Sequence, residues 1–230
     1  MKINIKEKIK KGKAFTLIEL AVVIAIIAIL MAFVLPAIGN AVERAKKGSA
    51  ENAMKQFAKA YLLYRQDKGD FPADATTANL EAFATLLARE EYLNDPNFYI
   101  LSVDSIPKPI RKTILDGQAL VDKTATTSEA FPAPKKFSIE VIVGLSESCP
   151  ENTTPIAYTR GLEGSFWNGD AVFGAKGGYI AFLDGQVKWF ADISGKLMKA
   201  DMTAVASNIM DAIPSGARIL KSDNTVTNKP

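Results

Sequence analysis

One apolar run limits what this chain can be. Between Phe15 and Leu35 every residue is apolar except Thr16 and Glu19. At 1.5 Å per residue these positions form a helix of roughly 31 Å, long enough to span the hydrocarbon core of a bilayer. Glu19 is unusual there, because an ionised carboxylate in hydrocarbon costs about 2.5–3.5 kcal/mol even on translocon-insertion scales. The run therefore predicts a membrane helix with a specific use for Glu19.

The residues around Glu19 form a motif. A Lys-rich leader ends at Ala14, and Phe15-Thr16-Leu17-Ile18-Glu19 opens the apolar run. This pattern resembles the prepilin signal of type IV pilins and type II secretion pseudopilins. The resemblance implies that a prepilin peptidase cuts between Ala14 and Phe15 and methylates the new amino terminus. It also implies that Glu19 acts in assembly and that Pro36 kinks the helix. The family usually has Gly before the cut, where this chain has Ala14.

Two other interpretations of the apolar run stay open. An ordinary secretory signal would be cleaved later, and Ala37-Ile38-Gly39 roughly fits a small-x-small cleavage site. The apolar core of such a signal is usually about 7–15 residues long and does not begin with a glutamate. A plain single-span anchor explains the length and the flanking lysines but gives no role to Glu19. The chain would then be a membrane-anchored extracytoplasmic binding or enzymatic domain that does not polymerise.

The net charge of the chain depends on its leader. The 230 residues carry a formal net charge of +3, and residues 1–14 contain six Lys and one Glu, so their removal leaves −2. A protein that loses its basicity on processing gives no argument for nucleic-acid binding. The leader lysines follow the positive-inside rule and place residues 1–14 in the cytoplasm and the later domain in the periplasm. We expect a single-pass protein of the bacterial inner membrane that later enters a pilus or pseudopilus.

Composition removes several kinds of catalysis. The chain has no histidine, which excludes Ser-His-Asp and Cys-His catalysis, His-ligated zinc and imidazole acid–base chemistry. Cys149 is the single cysteine, so no internal disulfide can form. We expect a structural protein that is not an enzyme and has no cofactor. The resemblance implies as partners prepilin peptidase, other copies of the chain, related pilin-like subunits and the inner-membrane assembly platform.

Apolar periodicity predicts an α+β protein whose long N-terminal helix packs on a small head with an antiparallel β-sheet, as in pilins. After Pro36 the helical pattern becomes amphipathic, and Lys68-Gly69-Asp70 ends it. The predicted segments are a cleaved cytoplasmic leader at 1–14, a transmembrane half-helix at 15–38, an amphipathic half-helix at 39–68, a periplasmic head at 69–214 and a flexible tail at 215–230.

Shorter patterns predict the elements of the head. The strongest is a β-hairpin whose two apolar runs flank Asp184-Gly185, read as a two-residue type I′ turn. The polar segment Thr124–Ser128 is expected to be mobile. Helices are predicted at Ala78–Glu91 and Asp201–Ile213, and strands at Phe137–Val143 and Pro155–Thr159.

Two head segments carry a looser resemblance. Asp67–Pro72 resembles the helix exit of secretion pseudopilins. Gly177–Val187 resembles a pilin-like domain associated with prepilin processing, marked by a His that nine residues separate from Asp-Gly. Here Gly174 stands in the place of that histidine.

The pseudopilin resemblance implies calcium as the alternative to no cofactor. Its oxygen ligands would come from Glu163 and from Asn168-Gly169-Asp170. Asn-Gly-Asp is also a common turn, and the spacing fits no EF-hand loop. The turn chemistry of Asp184-Gly185 likewise explains both residues without a metal.

Overall fold

The computed structural model describes residues 15–73, 77–107, 114, 131 and 136–229. The predicted leader and the Thr124–Ser128 segment lie outside these ranges. The described elements are α1 (Leu17–Lys68), α2 (Leu80–Arg89), β1 (Ile139–Val143), β2 (Pro155–Thr159), β3 (Leu162–Glu163), β4 (Phe166–Trp167), β5 (Gly178–Phe182), β6 (Val187–Phe190), β7 (Arg218–Leu220) and β8 (Val226–Asn228), with short 3-10 turns at Pro96–Phe98 and Gly174–Lys176.

The long N-terminal helix is confirmed and ends where the sequence predicts. Lys68 is its last residue, and Gly69 follows with a left-handed φ of 71° while donating its N–H to the carbonyl of Arg65. Glycine takes this conformation without the Cβ clash that other residues meet, so it closes the helix. Packing divides the chain within α1 into two compact units, Met1–Ala45 and Lys46–Pro230. We call the second unit the head.

The core of the head forms on the outer half of α1. Phe57 and Tyr61 are fully buried there, and their rings pack against Phe83 of α2. The Tyr61 hydroxyl donates a hydrogen bond of 3.1 Å to the carbonyl of Ile142 in β1. This bond stabilises the contact between helix and sheet, because a buried hydroxyl without a partner would raise the free energy of the folded state.

The head sheet is antiparallel throughout, which confirms the α+β class. Its six strands lie in the order β6-β5-β2-β1-β7-β8, and β3 and β4 form a separate two-stranded hairpin. The pairings β1–β2, β2–β5 and β5–β6 are all antiparallel. β1, β2 and β5 are buried along their whole length, which explains why their sequences are mostly apolar.

The C-terminal segment is not the flexible tail predicted at 215–230. Through residue 229 it forms β7 and β8, with β7 paired to β1 and Ile219 and Leu220 buried. The turn between these strands places Asn224 at φ 69°, and its side chain accepts the N–H of Glu81 in α2. The prediction was wrong because each strand is only three residues long and β8 shows little apolar pattern.

The helix predicted at Asp201–Ile213 is also wrong. The segment is a series of turns in which side chains bond the backbone locally. Asp201 accepts the N–H of Thr203, and Asp211 accepts the N–H of Ser207. Such bonds compete with the helical ladder, and Met202 has a φ of 58° that no α-helix tolerates.

The β5–β6 hairpin is present, but its turn is not type I′. Phe182 accepts the N–H of Gly185 at 2.9 Å and donates to the carbonyl of Gln186 at 2.9 Å, which makes a three-residue loop. The positive φ belongs to Gly185, at 81°, and not to Asp184. Asp184 instead accepts the N–H of Gln186 at 2.9 Å. This is a three-residue loop closed by a left-handed glycine, the next most common hairpin connection.

The division within α1 predicts that the head folds alone. A chain that begins at Lys46 keeps Phe57 and Tyr61 and loses the continuous apolar surface of residues 15–35. We expect a soluble monomer with mixed helix and strand circular dichroism and a cooperative thermal transition. An unfolded or aggregated fragment at low concentration would contradict the division.

Candidate assembly site

The first turn of α1 is a reciprocal capping box. Thr16 precedes the helix, and Glu19 is its third residue. One carboxylate oxygen of Glu19 accepts the backbone N–H of Thr16 at 2.9 Å and its hydroxyl at 2.8 Å. The N–H of Glu19 in turn donates to the Thr16 hydroxyl at 3.3 Å. The sequence Thr-x-x-Glu thus satisfies N–H groups that the start of a helix leaves without carbonyl partners.

The capping box explains why a carboxylate is tolerated at this position. Both bonds to Thr16 use a single oxygen, Oε2. An ionised carboxylate offers about four lone-pair sites, so Glu19 keeps acceptor capacity for a further donor.

The apolar half of α1 has no internal partner. Phe15 is 76% exposed, and the large apolar residues that follow as far as Ile38 are also exposed. The most apolar 18-residue window of α1 has a mean hydropathy of 3.0 and none of it is buried. Among the described residues, α1 is the one helix that is long and apolar enough to cross a membrane. The apolar half of α1 is therefore not buried in a core, unlike the half that carries Phe57 and Tyr61.

Of the other site residues predicted near the N-terminus, the structure describes Phe15 and Pro36 but not Ala14. Ala14 lies outside the described residues, so the predicted cut between it and Phe15 stays a prediction. Pro36 lies inside α1, which continues to Lys68. The kink at Pro36 also stays a prediction.

The proposed calcium ligands lie together at the β3–β4 hairpin but bind one another. The Asn168 amide donates to Glu163 at 2.8 Å, and its oxygen accepts the N–H of Asp170 at 3.0 Å. Among the described residues no group of three or more Asp, Glu, Cys or His could hold a metal. The Asn168-Gly169-Asp170 segment forms a turn with its own hydrogen bonds, and calcium binding there stays a prediction.

A polar cleft of about 380 Å³ lies beside this turn on the sheet. In its wall Glu140 is buried and pairs with Lys221 at 2.8 Å. Burial and the Glu140 carboxylate raise the pKa of Tyr158 well above its ordinary value, so the phenol stays neutral. Because Glu140 is already paired, this part of the cleft is structural.

Sequence reasoning missed a second buried ion pair at the same cleft. Arg160 donates to Asp104 at 2.6 Å, and also to the carbonyl of Asp170. The Asp104 side chain is 1% exposed and that of Arg160 is 14% exposed. The pair joins residues 56 positions apart, so no local sequence pattern could have shown it.

The cysteine and aromatic residues have packing roles. Cys149 is buried. The rings of Phe173, Tyr179 and Trp189 pack edge to face with centroids 5.0–5.9 Å apart. The Lys47 ammonium lies 4.3 Å from the Trp189 ring, which fixes α1 against β6 inside the head.

The chain combines a long N-terminal helix, whose apolar half is exposed and whose first turn carries a Thr–Glu cap, with an antiparallel sheet. Comparison with known proteins finds similarity in part of the chain. Residues 9–35 match the family model of the prokaryotic N-terminal methylation motif. Over 70 residues the chain is 46% identical to fimbrial protein EcpC of Eikenella corrodens, an alignment that covers 30% of this chain and 46% of that protein. The match thus spans less than half the length of this curated relative. No solved structure matches the chain.

Proposed function

We propose that this chain is a structural subunit of a filament of the type IV pilus or type II secretion pseudopilus kind. The observation that carries the proposal is Glu19, a capped carboxylate in an apolar helix that is otherwise suited to a membrane. A plain membrane anchor could use Glu19 as a cap, but it has no use for the acceptor capacity that Glu19 keeps beyond its bonds to Thr16. The methylation motif and the fimbrial relative support the same class.

The proposed pathway begins with processing at the inner membrane. Prepilin peptidase removes residues 1–14 and methylates the amino group of Phe15, while the head lies in the periplasm. The mature subunit then passes through the inner-membrane assembly platform and joins other copies and related pilin-like subunits. Its role is structural and not enzymatic, and it needs no cofactor.

Pairing of charges explains how subunits find their register. Cleavage leaves a positive amine on Phe15 and the Glu19 carboxylate about one helical turn away. Each charge is unfavourable in an apolar surrounding, and pairing offsets much of that cost. Because Glu19 has acceptor capacity beyond its two bonds to Thr16, it can also receive the amine of a neighbouring subunit. The pairing then fixes one axial position between neighbours.

Processing gives the first test of the proposal. We expect the membrane-extracted protein to begin at an N-methylated Phe15, because Ala14 is small and the apolar run starts directly after it. Mass spectrometry of the N-terminal peptide measures this. An intact Met1 end, or a start at Asn40 as for an ordinary signal, would contradict it.

A matched pair of variants tests the size requirement at the cleavage site. Ala14→Gly should be processed like the parent chain, because it restores the residue that the family usually has there. Ala14→Leu should accumulate uncleaved, since a bulky side chain does not fit a site that accepts small residues. Equal processing of the two variants would place the cut elsewhere.

A further inference from the structure

The head exposes large apolar side chains in a few places. Among its described residues these are Leu63 at 39% exposure, Phe166 at 62%, Met202 at 45% and Val205 at 49%. Single exposed apolar residues are common and need no explanation. Two of these, Leu63 and Phe166, each lie beside a charged residue, and those two charged residues have opposite signs.

The first site is on the outward face of α1. Lys59 and Leu63 are both exposed and lie four residues apart, so their side chains are neighbours on one helix face with Cβ atoms about 5–6 Å apart. Asn52, Gln56 and Gln66 are exposed on the same face. This face carries a positive charge next to an apolar side chain, and we call it the α1 stripe.

The second site is on the β3–β4 hairpin. Glu163 and Phe166 are directly opposite each other in the pairing of the two strands, and both are exposed. Opposite residues of an antiparallel pair point to the same face with Cβ atoms about 4.5–5.5 Å apart. This face therefore carries a negative charge next to an apolar side chain at nearly the same spacing. We call it the hairpin face.

Further contacts hold the hairpin face in place. Phe166 bridges to Asp192, and the carbonyl of Ser165 accepts the N–H of Ile193 at 2.9 Å. The Ser165 hydroxyl also donates to the carbonyl of Ser207, two residues from exposed Val205. A side chain presented on a fixed hairpin loses little conformational freedom on binding, which favours its use in an interface.

We infer that the hairpin face of one copy docks on the α1 stripe of the next copy, with Phe166 on Leu63 and Glu163 beside Lys59. Neither face complements itself, because each would oppose like charges. The contact is thus heterologous, the kind of contact that builds an open filament when the rotation between neighbours does not close a ring. The inference rests on the proposed function and adds to it the contact between heads.

Cysteine crosslinking of the full chain in cells that assemble filaments tests this contact. With Leu63→Cys and Phe166→Cys in one chain, oxidation of sheared filaments should give a ladder of dimers, trimers and larger species. Either single variant alone should give no dimer, and a mixture of the two should stop at dimers. Cys149 is buried and common to all samples.

The control moves the cysteine along the same helix face. Asn52→Cys lies 11 residues before Leu63, a shift of about 16 Å along α1. Combined with Phe166→Cys it should give no ladder. Filaments whose Leu63–Phe166 double variant crosslinks no better than this control would overturn the contact but leave the filament role intact. Absence of filaments from the parent chain would overturn both.

Charge exchange tests the contact where the Phe166 variant fails to fold. Lys59→Glu should lower the yield of sheared filaments by about two- to fivefold, the range of an exposed ion pair. Adding Glu163→Lys to Lys59→Glu should restore the yield. Lys46→Glu, an exposed lysine on another face of α1, should have no effect. A double variant that is no better than Lys59→Glu would contradict the inference.

Discussion

Replacing Glu19 with leucine is expected to abolish filaments while the protein stays in the membrane and is processed. The change makes the apolar run more apolar, so insertion has no reason to fail. The amine on Phe15, however, loses its partner in the neighbouring subunit. An unpaired charge in hydrocarbon costs about 2.5–3.5 kcal/mol, which weakens each contact about a hundredfold or more. Filament yield after shearing and the N-terminal mass of the membrane fraction measure the two effects separately.

Two further variants separate the charge of Glu19 from its capping role. Glu19→Gln keeps an oxygen that can accept from Thr16 but carries no charge, so it should also fail to assemble. Glu51→Leu makes the same kind of change on the same helix outside the apolar run, where it removes only a partly exposed pair with Lys55, and should assemble normally. Normal filament yield from Glu19→Leu would remove the main reason to prefer a filament subunit over a plain anchor.

The sequence predicted those features whose cause is local. Gly69 directly follows the helix that it ends, so a short window contains this interaction. The long helix and the strands at β1 and β2 follow from continuous apolar or amphipathic patterns. The capping bonds were not foreseen, although the Thr-x-x-Glu pattern signals them.

The two wrong predictions, the flexible tail and the helix at 201–213, share one physical cause. In both segments local and distant contacts compete to decide the backbone structure. Ile219 and Leu220 are two apolar residues in a polar segment, and only their pairing with β1 makes them a strand. Conversely, the apolar pattern of 201–213 suggested a helix, but Asp201 and Asp211 bond nearby N–H groups instead. The assembly contact inferred for Leu63 and Phe166 depends on surface exposure, which sequence alone does not give.

The buried pair of Asp104 and Arg160 shows how distant contacts also set stability. Arg160 follows β2 and donates its backbone N–H to the carbonyl of Ser138, while its guanidinium bonds Asp104 and the carbonyl of Asp170. One side chain thus joins the end of β2 to two loops. Because both partners are largely buried, neither can recover solvation by water if the other is removed.

We expect Asp104→Ala to destabilise the head by about 3–5 kcal/mol, since it leaves a buried guanidinium without its carboxylate. That is a large part of the about 5–15 kcal/mol that stabilises a typical domain. For a chain of this size it lowers Tm by on the order of 10 °C, measurable by thermal unfolding of the detergent-extracted protein. The control is Glu151→Ala, which removes a pair with Arg65 whose Glu151 side chain is 60% exposed and should cost at most about 1 kcal/mol. Equal losses of Tm in the two variants would show that the Asp104–Arg160 pair does not hold the loops to the sheet.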